Sequence, residues 1–185
     1  MKHKVKGKRA FSNDDLVAYL QAQVDADSTL LDLGCGPKMY SNPLREQCSR
    51  ILTVDAWDWV DPDIVANLET TPLNEITPDR WDYVLMLDFV EHLDKQAGLN
   101  LIEQVKQITN RRVFLLTPLE EIWTKNHENV DNPELWCHGN EYDLHKSLWT
   151  PSDFVDFTRV TIRGFDDYYV GYYEAQNINH PWHSS

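Results

Sequence analysis

The run Leu30-Leu31-Asp32-Leu33-Gly34-Cys35-Gly36 restricts what this chain can fold into more than any other stretch. Thr29 to Leu33 reads as a short buried strand that delivers its end to a tight glycine turn. Glycines at such a turn permit unusual backbone angles and let a ligand approach the main chain. The three-glycine dinucleotide fingerprint is absent, because the position it needs is Met39. A P-loop is absent too, since no Gly-Lys-Ser/Thr follows. The loop therefore shows no sign of cradling a pyrophosphate. Taken alone, it is equally an ordinary strand-to-helix turn.

The rest of the chain supplies a frame for that turn. Ser12 to Gln23 reads as a helix with Leu16, Val17, Leu20 and Val24 on one face and Ser12 as its cap. A short helix is expected near Asn42 to Cys48, then strands at Arg50 to Asp55 and, more briefly, Asp63 to Leu68. Trp81 to Asp88 is nearly all apolar, as expected of a strand buried on both faces. Lys95 to Thr109 is an amphipathic helix with Asp94 as cap and Ala97, Leu101, Val105 and Ile108 along one face. Arg112 to Thr117 is a strand stopped by Pro118. This rhythm of strand and helix predicts an α/β fold with a parallel sheet and right-handed crossovers. Thr150 caps a helix over Pro151 to Thr158. Arg159 to Phe165 and Tyr168 to Glu174 then form an antiparallel hairpin around Asp166-Asp167.

Length and composition exclude several classes. The 185 residues fit one domain, and an apolar share of 42% supports a core without staples. No run approaches the roughly 20 apolar residues that span a bilayer, so no membrane partner is expected. Cys35, Cys48 and Cys137 are read as free thiols of a reducing compartment, consistent with a cytoplasmic location. Cys137, His138, His127 and His145 lack paired ligand spacing, so no metal is expected. Net charge is −13. Five positive charges stand at Lys2, Lys4, Lys6, Lys8 and Arg9, leaving the remainder with 12 basic against 30 acidic residues. A body this acidic repels phosphate backbones, so no nucleic-acid partner is expected. Residues 1–11 are read as a basic, disordered arm, 12–175 as a single domain and 176–185 as a frayed tail.

The spacing of Asp55 adds to the glycine turn. It ends the second strand, about 20 residues after the loop, where an α/β sheet places a carboxylate for ribose hydroxyls. Trp57 either lies against an adenine or belongs to the core. At these residues the chain resembles the class I S-adenosylmethionine-dependent methyltransferases, most closely the branch called type 11. The match runs without a gap over Leu30 to Pro37 and includes Asp55. Asp63 to Glu69 resembles the segment that frames the adenine amino group. The family commonly has Asp where this chain has Asn67, which weakens or reverses that hydrogen bond. Trp81 to Leu93 resembles the fourth strand with its terminal Glu-His pair. The likeness covers Thr29 to Thr117 well and continues more loosely through His145 to Thr150.

The resemblance implies a Rossmann-like, mostly parallel seven-stranded sheet flanked by helices, with an antiparallel C-terminal hairpin. Its cofactor is S-adenosylmethionine, with S-adenosylhomocysteine as product. The implied cofactor residues are Asp32, Gly34, Cys35, Gly36, Asp55, Ala56, Trp57, Asn67, Leu68 and Asp88. The linker from Ala56 to Pro62 is short, so its crossover helix is one turn or absent. Asp88 lies beside the expected methyl group. His92 is either a general base or, with Glu91, a cap that orders the loop. His145, in a stretch that family members often share, either faces the acceptor or is a satisfied loop histidine. Leu119 to Thr150, with Trp123, His127, Trp136, His138, Tyr142 and Trp149, reads as a lid over a small acceptor or as a loop pinned by tryptophans. The expected activity is methyl transfer to oxygen or nitrogen of a small-molecule, sugar or glycan acceptor. The alternatives are a catalytically silent S-adenosylmethionine-binding regulatory module and another nucleoside-using enzyme of this fold.

Overall fold

A computed structural model describes residues 13–119, 130–135 and 137–176. Within them, seven strands form one sheet: β1 (Thr29–Leu33), β2 (Arg50–Asp55), β3 (Ile64–Val65), β4 (Trp81–Leu87), β5 (Thr109–Pro118), β6 (Thr158–Arg159) and β7 (Tyr168–Glu174). Their spatial order is β3-β2-β1-β4-β5-β7-β6. The first five are parallel, whereas β7 is antiparallel to both β5 and β6. The helices are α1 (Asp14–Gln23), the one-turn α2 (Leu73–Ile76) and α3 (Lys95–Ile108). The mostly parallel sheet with an antiparallel C-terminal end is as expected.

β4 explains the layering. Side chains alternate across a strand, and both faces of this one are apolar. Val84 and Met86 enter one core with Leu101 and Val105 of α3 and with Trp149. Tyr83, Leu85 and Leu87 enter the other with Leu16 and Leu20 of α1. Each fully buried side chain of this kind contributes roughly 1.5–3 kcal/mol. The chain proceeds outward in one direction from β1 to β3 and in the other from β4 to β5. A crevice therefore opens beyond the carboxyl ends of β1 and β4, at the switch point where α/β sheets bind ligands.

Several expected elements are shorter or shifted. The helix near Asn42 to Cys48 is a single 3-10 turn, Asn42–Leu44, with Pro43 inside it. The third strand shrinks to two residues beside β2. The linker after β2 holds only the 3-10 turn Asp58–Val60, reversed at Asp61 with φ 53°. β5 begins at Thr109, directly after α3, and Pro118 is its last residue rather than a stop before it. Asp94 occupies the cap position of α3 without a side-chain capping bond, and the buried face is Gly98, Leu101, Ile102 and Val105. The helix after Thr150 is one 3-10 turn, Pro151–Phe154. There the Thr150 amide and hydroxyl both donate to the Asp153 carboxylate, at 2.7 and 3.0 Å. The strand expected over Arg159 to Phe165 is reduced to Thr158–Arg159, because the chain turns at Gly164 with φ 92°. The arm over residues 1–11, the Ser12 cap and all of the tail but Gln176 lie outside the described residues; Asn13 stands at the cap of α1.

Candidate active site

The glycine turn is built by close packing. Gly34 has φ 68° and Gly36 φ 47°, both in the left-handed region. A Cβ on Gly34 would stand 2.1 Å from the Phe89 ring. The turn is also tied to β2: the amides of Gly34 and Cys35 donate to the Val54 carbonyl at 2.9 and 3.1 Å. Gly36 donates its amide to Asp55 Oδ2 at 2.8 Å, and Trp57 donates its own to Oδ1 at 2.9 Å. One carboxylate thus joins the ends of β1 and β2.

Beyond these strand ends lies a cavity of about 400 Å³. This is the size of a small-ligand site. Gly34, Cys35, Gly36, Asp55 and Ala56 line one part, and Asn67 and Leu68 another. Asn67 Oδ1 accepts from the Glu69 amide at 2.9 Å. Two residues of the implied cofactor set are not among those lining the cavity. Trp57 is not among the lining residues; its ring stacks on exposed Trp59 at 4.9 Å. Asp32 is buried behind the glycine turn at 3% exposure. Burial raises its carboxyl to about 6, with the Ser41 hydroxyl pulling the other way. Burial also raises the Cys35 thiol, so no reactive thiolate faces the cavity.

The opposite part of the cavity comes from the end of β4 and the loop before Trp149. Asp88 has φ 50°, a left-handed backbone at a residue other than glycine. Its side chain is open to the cavity, yet the surrounding protein raises its carboxyl to about 6. Tyr40 donates its hydroxyl to Asp88 Oδ2 at 3.2 Å. Glu91 is 1% exposed and accepts from the Thr117 hydroxyl at 2.9 Å. Burial, then the charge of Asp88, raises its carboxyl well above the ordinary range. Among the described residues, no lysine or arginine forms an ion pair with either carboxylate. Burial, then neighbouring His145, depresses the His92 imidazole to about 3.

His145 meets His92 edge to face, with ring centroids 4.9 Å apart at 67°. The cause is local. The amides of Lys146 and Ser147 donate to the Glu91 carbonyl at 2.8 and 3.1 Å. Ser147 Oγ donates to the Val90 carbonyl and accepts from the Trp149 indole at 2.9 Å. The Lys146 ammonium pairs with Glu69 at 2.6 Å. These bonds strap the His145 loop to the turn after β4. Asn140, Tyr142, Asp143, His145 and Lys146 line the cavity. Trp149 does not; it is fully buried and stacked on Phe154 at 5.2 Å. The segment from Leu119 to Thr150 is thus part wall and part anchor where it is described. His138 sits apart, with Nδ1 3.1 Å from the Val130 carbonyl. Trp123, His127 and Trp136 lie outside the described residues.

Tyr40 and Tyr168 also line the cavity, and sequence reasoning missed both. Burial, then the charge of Asp88, raises the Tyr168 phenol to about 12. Neither tyrosine stands in a motif, so only the closure of the sheet reveals them.

Comparison with known proteins agrees with this architecture. A family model described as a methyltransferase domain matches residues 1–157. No curated protein matches the sequence. Among solved structures, the chain is similar to N-methyltransferase NodS from Bradyrhizobium japonicum WM9 in complex with S-adenosyl-L-homocysteine. There the TM-score is 0.61 and the identity 11%, over 87% of this chain and 84% of that one. Magnesium protoporphyrin IX methyltransferase from Synechocystis PCC 6803 with bound SAH gives a TM-score of 0.58 at 15% identity, over 91% and 89%. A chain of the Pnkp1/Rnl/Hen1 RNA repair complex gives 0.60 at 12% identity, over 91% of this chain but 42% of that one. At these identities the likeness is one of fold.

Proposed function

This chain belongs to the methyltransferase-domain family, and on that premise we propose that it is an S-adenosylmethionine-dependent enzyme acting on oxygen or nitrogen of a small-molecule, sugar or glycan acceptor. The observation that carries the reading is the joint lining of one cavity. Gly36 and Asp55 stand at the ends of β1 and β2, and Asp88, His92 and His145 stand beyond β4. At about 400 Å³ the cavity is of small-ligand scale.

The cofactor's sulfonium supplies an activated methyl group, so the chain's main task is positioning. Asp55 keeps lone pairs beyond its two amide bonds and takes the ribose hydroxyls. Asn67 and Leu68 frame the base. Among the described residues neither Asp88 nor Glu91 forms an ion pair, and Asp88, ionised above about pH 6, places negative charge at the end of β4, suited to a cationic donor. The acceptor occupies the side lined by Tyr142 and His145. Of the two histidines, His145 is the stronger candidate base, because the surroundings of His92 strongly disfavour its protonated form.

The direct test is calorimetry with S-adenosylmethionine and S-adenosylhomocysteine, followed by a screen of small acceptors for S-adenosylhomocysteine release. Stoichiometric binding and acceptor-dependent release are expected. No heat and no thermal shift at millimolar ligand would remove the reading. Binding without release from any acceptor class would favour a silent binding module instead.

A further inference from the structure

Glu91, His92 and His145 form a group that their places in the sequence do not suggest. Among the described residues it is the one group of three or more metal-ligand side chains, with its candidate ligand atoms all within 4.8 Å of one another. It differs from the Cys137, His138, His127 and His145 set weighed from sequence.

Four features distinguish it from a chance cluster. Two imidazoles and one carboxylate are the donor set that borderline divalent transition ions take, with further positions left open. All three residues line the cavity, so the open positions face it. The ligands are also held from behind, as metal ligands usually are. Thr117 Oγ1 donates to Glu91 Oε2, and the Lys146 and Ser147 amides tie the His145 loop to the Glu91 backbone. Finally, the group is short of positive charge. Glu91 is 1% exposed and forms no ion pair among the described residues, so its ionised form is costly without a bound cation.

We propose that Glu91, His92 and His145 bind one divalent transition-metal ion, whose open positions take an oxygen of a hydroxyl-bearing methyl acceptor. The ion's role toward the acceptor rests on the methyl-transfer reading, with His145 then serving as ligand in place of base; the ion site itself does not.

The experiment uses the full chain, stripped with chelator and dialysed against Zn²⁺ or Mn²⁺, with bound metal counted and Co²⁺ absorption recorded. One equivalent per chain and a Co²⁺ spectrum showing imidazole ligation are expected. Glu91→Gln and His145→Ala should each weaken binding by at least the roughly 10- to 100-fold typical of losing a supporting partner. Cys137→Ser with His138→Ala should leave it unchanged. No stoichiometric uptake would overturn the proposal, as would uptake that survives His92→Ala with His145→Ala. Where a variant does not fold, Mn²⁺ broadening of histidine ring resonances in the unmodified chain decides. Broadening centred on His92 and His145 supports the site, and broadening centred on another histidine overturns it. Calorimetry with S-adenosylhomocysteine on the same samples separates the two readings. Cofactor binding without metal uptake sinks the metal site alone, and metal uptake without cofactor binding sinks the methyl-transfer reading alone.

Discussion

Asp55 serves two structures with one carboxylate, since it staples the glycine turn to β2 while facing the cavity. Asp55→Ala should weaken S-adenosylhomocysteine binding by roughly 2–3 kcal/mol, the scale for charge-assisted bonds left unpaired. Calorimetry checks this, and unchanged affinity would make Asp55 only a staple. His145 belongs to the acceptor side. His145→Ala should lower methyl transfer and leave S-adenosylhomocysteine affinity nearly unchanged. A loss in turnover of about 10²- to 10⁴-fold marks a base, and a loss mainly in apparent acceptor affinity marks a positioning role. Asp32 makes a prediction in pH. Its folded carboxyl lies near 6, above the ordinary 3.8. The unfolded chain therefore loses this proton first, and stability falls as pH rises from about 4 to 6. The penalty is complete above pH 6. Asp32→Asn should then melt higher than the parent at pH 8, with the gain gone by pH 4. A gain that persists at pH 4 would mean that the carboxyl's charge is not the cause.

At the scale of elements, what the sequence revealed tracks how each segment is stabilised. β1, β2 and β4 are long, apolar and central, so their pattern and their ends can be read directly. With them came Gly34, Gly36, Asp55 and Asp88, because the glycine turn and the acidic ends lie on those same strands. β3 and β6 have two residues each and exist only through pairing with β2 and β7. No window that short carries a period. The pairing of His92 with His145 was equally hidden, because main-chain bonds from Lys146 and Ser147 create it and any residue type has those groups. Trp149, read as part of a lid or as an anchor, is an anchor that fills a space against α3. That packing explains Gly98, which otherwise looks like a poor helix residue. Replacing an interior helical glycine by alanine normally gains about 1 kcal/mol. Here the new Cβ would lie 2.9 Å from the fully buried Trp149 ring. Gly98→Ala should destabilise by roughly 1–3 kcal/mol, the cost of overpacking. A thermal or denaturant melt reads the sign, and stabilisation would show that Trp149 yields.

At the scale of the whole molecule, charge is the dominant property. The chain carries −13 overall, and its acidity is greater still beyond the basic residues near the start. One structural neighbour belongs to an RNA repair complex, so the contrast can be tested. A truncation beginning at Ala10 should show no salt-sensitive binding to DNA or RNA. Retained, salt-dependent affinity would move the acceptor class to nucleic acid. Among the described residues no helix is long and apolar enough to cross a membrane. We propose that residues 12–175 act as one domain, since the sheet is shared by both cores. The strap between the turn after β4 and the His145 loop has a consequence for how such a chain diversifies. Its bonds run through backbone groups, the Lys146–Glu69 ion pair, Ser147 and Trp149, whereas Tyr142 and Asp143 line the cavity and take no part in those bonds. The course of the loop is therefore heritable as a fixed unit, and the side chains it presents to the acceptor are open to drift. A library randomised at those two positions would search acceptor space with the donor half already in place.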